Sequence, residues 1–179
     1  MEDADAGRWP TRGTVPSFEL GEELGRGAYG QVFKGTDVRS GGVVAIKQIS
    51  LAGMSSATLE DTMTEIDLLK NLNHRNIVKY IGSYKTKAHL FIILEYMQQG
   101  ALSQLIKSNS YGVLSEPVAA AYISQVLHGL AYLHAQGVVH RDIKGANILM
   151  GSEGQVSPPP PLLCAARGPL LTPACDPRR

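Results

Sequence analysis

Gly25-Arg26-Gly27-Ala28-Tyr29-Gly30-Gln31-Val32-Phe33-Lys34-Gly35-Thr36-Asp37-Val38 is the stretch on which the fold turns. Three glycines at this spacing serve more than one phosphate-binding fold, so alone they discriminate weakly. The residues after the third glycine are more telling. A dinucleotide-binding fold opens a helix there, whereas Gln31 to Val38 is β-prone and runs into Arg39-Ser40-Gly41-Gly42, a turn signal. Upstream, Phe18-Glu19-Leu20-Gly21-Glu22-Glu23-Leu24 alternates apolar and polar residues as a half-buried strand does. The pattern predicts a strand, a glycine loop and a second strand. Such a loop can offer backbone N–H groups to phosphates, although a plain tight hairpin also asks for glycine to reach positive φ.

The next strand, Val43-Val44-Ala45-Ile46-Lys47-Gln48-Ile49, is a β-branched run broken by one lysine. Burying an ammonium is costly unless it is paired, so the strand asks for an acidic partner. Glu65 is the candidate. From Thr58 to Leu72, Leu59, Met63, Ile66, Leu69 and Leu72 recur at helical spacing and leave Glu65 at the edge of the apolar stripe. An exposed carboxylate on an amphipathic helix is the commoner fate of a helix Glu.

Further on, Val138-Val139-His140-Arg141-Asp142-Ile143-Lys144-Gly145-Ala146-Asn147-Ile148-Leu149 leads from apolar residues into a turn and out again. The turn holds a carboxylate, an ammonium and a carboxamide at fixed offsets. A solvated surface turn would need none of these spacings.

Taken in order, these segments from Phe18 to Val156 resemble the front part of a eukaryotic serine/threonine protein kinase domain. Glu65-Ile66-Asp67-Leu68-Leu69-Lys70-Asn71-Leu72-Asn73-His74, Asn76-Ile77-Val78-Lys79-Tyr80 and His140 to Leu149 are most similar to mitogen-activated protein kinase kinase kinases of the epsilon-like branch, related to septation-signalling kinases. The resemblance implies an α+β fold with a complete antiparallel N-terminal sheet lobe bearing one helix, and the first part of a helical C-terminal lobe. It implies ATP and Mg2+ as cofactors and phosphoryl transfer to a protein substrate, a downstream kinase. It assigns Asp142, Lys144, Lys47 and Glu65 to catalysis and Asn147 to the metal. Leu24, Gly25, Arg26, Gly27, Ala28, Tyr29, Gly30, Val32, Ala45, Lys47, Leu94, Glu95, Met97, Asn147 and Leu149 would surround the nucleotide. In that frame Leu94 lies behind the adenine, and the backbones of Glu95 and Met97 meet its edge. Lys144, two residues after the aspartate, fits the serine/threonine class.

Between these motifs the reading is a strand over His89 to Leu94, a short helix from Ala101 to Lys107 and a long helix from Glu116 to Gln136. Ser115 is its N-cap candidate and Gly137 its stop. Its stripe of Val126, Leu130 and Leu133 needs a partner, and the expected lack of one predicts poor solubility. His128 and His134 have no cluster at metal spacing and are read as packing or surface residues.

Lys+Arg 17 against Asp+Glu 16 leaves no footprint for nucleic acid. The longest apolar run, Leu90 to Leu94, is too short for a membrane span, and the acidic start has no signal-peptide core, so a cytoplasmic chain is expected. Residues 1–17 read as a disordered leader. Residues 18–156 read as the partial kinase domain, with its N-lobe and hinge over 18–97 and the start of its C-lobe over 98–156. After Val156 the family pattern would enter an Asp-Phe-Gly metal loop, but Ser157-Pro158-Pro159-Pro160-Pro161 follows. Seven of the 10 prolines and both cysteines, Cys164 and Cys175, lie from Ser157 onward, so residues 157–179 read as a proline-rich disordered tail. The expectation is a domain truncated after the catalytic loop. Its alternative function is a catalytically deficient fragment that binds a nucleotide or a partner.

Overall fold

A computed structural model describes residues 14–15, 17–27 and 30–159. Most of the predicted leader, the loop residues Ala28 and Tyr29, and residues 160–179 of the predicted tail lie outside the described residues. The chain forms two compact units, one holding residues up to Ile66 together with Tyr80–Tyr96, the other Asp67–Lys79 and the residues from Met97 on.

The first unit is built on a six-stranded antiparallel sheet of β1 (Thr14–Val15), β2 (Phe18–Gly27), β3 (Gly30–Asp37), β4 (Val43–Ser50), β5 (Tyr80–Lys85) and β6 (His89–Glu95), in the order β1-β2-β3-β4-β6-β5. The strand–glycine–strand reading is therefore what the chain does. The turn after β3 closes on Asp37, whose carboxylate accepts from Arg39 N–H at 3.0 Å and from the Ser40 hydroxyl at 2.7 Å. Strand β4 is central and paired on both edges, as its β-branched run requires. One sheet face buries Val44, Ile46, Phe91 and Ile93, with Phe18 and Leu20 packed against them. Helix α1 (Ser56–Leu69) is shorter than the predicted segment at its C-terminal end. It starts where the Ser55 hydroxyl accepts from Thr58 N–H at 3.1 Å, a cap that satisfies one orphan donor. Ile66 and Leu69 are buried, and Leu72 is buried just beyond the helix.

The second unit contains β7 (Gly100–Ala101), α2 (Leu102–Ser108), α3 (Glu116–Ala135), β8 (Leu149–Met150) and β9 (Val156–Ser157), with the three short strands in the order β7-β8-β9. Helix α3 begins after Ser115, whose side chain makes no capping bond, and has Pro in its first turn. It ends in paired bonds from Gly137 N–H to His134 O and from Val138 N–H to Leu133 O, which close its last turn.

Three expectations are corrected here. Thr14 and Val15, within the expected disordered leader, pair with Glu19 and Phe18 as β1. The stripe of Val126, Leu130 and Leu133 has its partner: Val126 and Leu133 are buried, Leu130 is half-buried, and the helix packs on β9. The approach is close enough that a Cβ on Gly129 would lie 2.4 Å from Asn76 O, so glycine is required there. A different face of α3 stays exposed, with Ile123 and Leu127 each 58% accessible. The first residues assigned to a disordered tail are also built into the fold. Ser157 pairs with Leu149 at the edge of the sheet, and Pro158 and Pro159 are buried. Their carbonyls are used, Pro158 O by Val78 N–H at 3.2 Å and Pro159 O by His140 Nε2 at 2.9 Å. Proline can serve here because the strand is at an edge and only its acceptors are needed.

Candidate functional site

In the first unit, strand register gathers the sequence-selected residues. Lys47 is opposite Val32 on β3 and Ile92 on β6, while Ala45 is opposite Lys34 and Leu94. Opposed residues share a face and every second residue returns to it, so Val32, Ala45, Lys47 and Leu94 lie together on the sheet face away from the Phe91 core. Lys47 is buried to 9% exposure, and neither it nor the half-buried Glu65 is without a partner. Leu24 falls at an irregularity of the β2–β3 ladder and is partly exposed. Arg26 turns its guanidinium to Glu23, at 3.2 and 3.1 Å, and Gln31 donates to the same carboxylate at 2.9 Å. The Arg26 bond holds the Glu23 carboxyl below its usual range.

The glycines divide by cause. Gly30 has φ +147°, and a Cβ there would sit 1.9 Å from Gln48 O, so the sheet itself demands it. Gly25 and Gly27 have neither positive φ nor, among the described residues, any atom within 4 Å of an added Cβ. Packing among the described residues gives no reason for them, and a molecule approaching the backbone would. Gly30→Ala is expected to destabilise the fold by about 1–3 kcal/mol from strained backbone alone, whereas Gly27→Ala should melt like the parent. Thermal melts of the two variants distinguish these outcomes.

In the second unit, the turn after Val138 folds on itself. Asn147 Nδ2 donates to Asp142 Oδ2 at 2.7 Å and to Asp142 O at 3.0 Å, and Lys144 Nζ lies 3.0 Å from Asp142 Oδ1. A 3-10 turn over Gly145–Asn147 supplies the curvature that brings the carboxamide back. The Lys144 bond, with help from Asn147, holds the Asp142 carboxyl below its usual range, so it is ionised at neutral pH. Leu149 follows on β8, opposite Ala101. Glu95 is at the end of β6 opposite Val44, and Met97 O accepts from Gly100 N–H at 3.1 Å.

His140 was not singled out as a site residue from the sequence. It is 1% exposed; its Nδ1 accepts from Asp142 N–H at 3.3 Å, which leaves Nε2 as the donor to Pro159 O. It thus ties the backbone of Asp142 to the segment after β9, and Arg141 between them takes φ 62°. The only sequence signal was its place two residues before the aspartate. Burial pushes the His140 imidazole below its ordinary pKa. The unfolded chain then binds the proton more readily, so stability should fall as pH drops from about 7.5 through the unfolded value of about 6.5. Melting temperatures of the parent should show this loss, and His140→Gln should flatten it.

Among the described residues no group of three or more His, Cys, Asp or Glu could hold a metal, and no helix is long and apolar enough to cross a membrane. His128 and His134 are both exposed.

Comparison with known proteins matches residues 18–157 to the protein kinase domain. The chain is 60% identical over 139 residues to MAP3K epsilon protein kinase 1 of Arabidopsis thaliana, covering 78% of this chain and 10% of that protein. It is 52% identical over 142 residues to cytokinesis protein sepH of Emericella nidulans, covering 79% and 10%. To cell division control protein 7 of Schizosaccharomyces pombe it is 50% identical over 140 residues, covering 78% and 13%. The chain spans about a tenth of the length of these curated relatives.

Proposed function

The chain belongs to the protein kinase family, in its serine/threonine branch, and on that premise we propose that it transfers the γ-phosphoryl group of ATP to serine or threonine hydroxyls of a protein. The observation that carries this reading is the Asp142 carboxylate, fixed by Lys144 at 3.0 Å and Asn147 at 2.7 Å. In the proposed step the substrate hydroxyl oxygen bonds to the γ-phosphorus, and the bond to the β–γ bridging oxygen breaks. ADP leaves with that electron pair, and the hydroxyl proton passes to Asp142. Lys144 offsets charge on the γ-phosphoryl oxygens. Lys47, with Glu65 as its expected partner, orients the remaining phosphates, while Val32, Ala45 and Leu94 offer the apolar face for the base. Gly25 and Gly27 admit the phosphates close to the backbone.

A divalent ion would supply charge neutralisation on the phosphates. The donors fit one that arrives with the nucleotide: Asn147 spends its Nδ2 on Asp142, which leaves Oδ1, a hard oxygen of the kind magnesium takes. The similarity to MAP3K epsilon protein kinase 1 supports a place at the head of a kinase cascade, with a downstream kinase as substrate.

A second reading has its own observation. Pro158 and Pro159 are packed where the family pattern continues toward a second metal carboxylate. A nucleotide- or partner-binding module without turnover would need no such group. Incubation with γ-labelled ATP and a generic protein substrate, followed by phosphoamino-acid analysis, tests the first reading. Label on serine and threonine supports it; nucleotide binding without any transfer favours the second.

A further inference from the structure

We propose that the second unit carries a binding groove for a phosphorylated peptide segment, on the surface where the stretch after α1 meets α3. The groove measures about 550 Å³, and its lining includes His74, Arg75, Ser124 and His128. None of its lining residues is Asp or Glu. It therefore presents a guanidinium, two imidazoles and a hydroxyl with no internal carboxylate to neutralise them, and Arg75 and His128 are exposed residues.

The floor is rigid. Asn76, 2% exposed, donates through Nδ2 to Gln125 Oε1 and to Val156 O, each at 3.0 Å. Gln125 Oε1 also accepts from Val156 N–H at 3.0 Å, and its Nε2 donates to Gly154 O at 3.0 Å. The backbone of Arg75 is fixed in turn, its carbonyl accepting from Gln155 Nε2 at 2.7 Å and from the Ser157 hydroxyl at 3.2 Å. His74 Nδ1 accepts from Asn76 N–H at 3.1 Å, so Nε2 bears the proton and is a donor. Its ring stacks on Tyr132 with centroids 4.9 Å apart.

An arginine with imidazole and hydroxyl donors on a pre-ordered floor suits a phosphate monoester, which brings nearly two negative charges and three acceptor oxygens. The groove is much larger than a phosphate ion, and the stacked His74–Tyr132 pair gives it a flat face for flanking residues. Those features favour phosphate carried on a peptide over free phosphate.

The test uses the full chain and reads the histidine ring resonances by NMR, assigned with single His→Gln variants, with no nucleotide turnover involved. A short blocked phosphoserine peptide should give saturable shifts at His74 and His128 and none at His134. Arg75→Ala, whose side chain is exposed, should weaken the midpoint at least tenfold, and Arg75→Lys should recover part of it. Equal saturation by the unphosphorylated peptide or its glutamate analogue would overturn the phosphate assignment. Inorganic phosphate binding as tightly as the peptide would overturn the peptide source. Shifts spread over all histidines, or unchanged in Arg75→Ala, would overturn the site. If Arg75→Ala melts below the parent, His128→Gln provides the same comparison.

Discussion

Asp142→Asn is expected to reduce phosphoryl transfer by about 10²- to 10⁴-fold, the usual contribution of a positioned proton acceptor. The replacement keeps the shape of the side chain and an oxygen for the Lys144 ammonium and the Asn147 amide, both of which hold Asp142 in the parent. It removes the charge that accepts the hydroxyl proton in the proposed step. Because Lys144 holds the parent carboxyl low, Asp142 remains ionised well below neutral pH, and the parent rate should not fall through its titration between about pH 8 and 6. Rates within tenfold of the parent, in a variant that melts like the parent, would remove Asp142 from the chemistry.

Lys47→Met should lower transfer by about 10²- to 10³-fold, the size of effect seen when one preorganised donor to developing phosphate charge is lost. Methionine preserves an unbranched chain of similar length in the space that Lys47 fills on the central strand, at 9% exposure. The sheet should persist, with the far-ultraviolet spectrum unchanged and any shift in melting reporting the partner left behind in the interior. Labelled ATP transfer and nucleotide binding measured on the same preparation separate two outcomes. Lost transfer with retained folding supports the proposed role. Turnover equal to the parent would sink it, and turnover abolished by this substitution would sink the reading of a binding module without catalysis.

Much of the first unit was legible in the sequence because its information is local. Alternation in Phe18 to Leu24, β-branching in Val43 to Ile49 and the apolar run from Leu90 to Leu94 each fix a strand and its buried face within a few residues. Glycine spacing marked the loop, but two causes were hidden in one motif: Gly30 answers to Gln48 on a neighbouring strand, which only register reveals. The charged turn was visible for a similar reason, since Asp142, Lys144 and Asn147 interact across at most five residues.

What the sequence misjudged depends on long-range partners. The stripe of α3 was read as lacking a counterpart, yet Gln125 on the same helix holds Val156, 31 residues away, and Asn76 holds it from 80 residues away. Proline density after Val156 argued for disorder from Ser157 onward, and it does forbid a central strand. It did not forbid an edge position where only carbonyls are asked for, and Val78 and His140 use them.

The sequence by itself determined the strands begun by Phe18, Gln31, Val43 and His89, the helices, the glycine loop and the charged turn, because each is set by periodicity, steric demand and hydrogen bonds within a short span; Thr14 and Val15, read as part of a disordered leader, form a strand only because β2 pairs with them. Only the tertiary structure decided that Val32, Ala45, Lys47 and Leu94 share one face, that His140 anchors Asp142 to Pro159, and that Arg75, His74 and His128 border one groove. Those juxtapositions arise from many weak contacts between segments far apart in the chain, whose sum no single stretch of sequence contains.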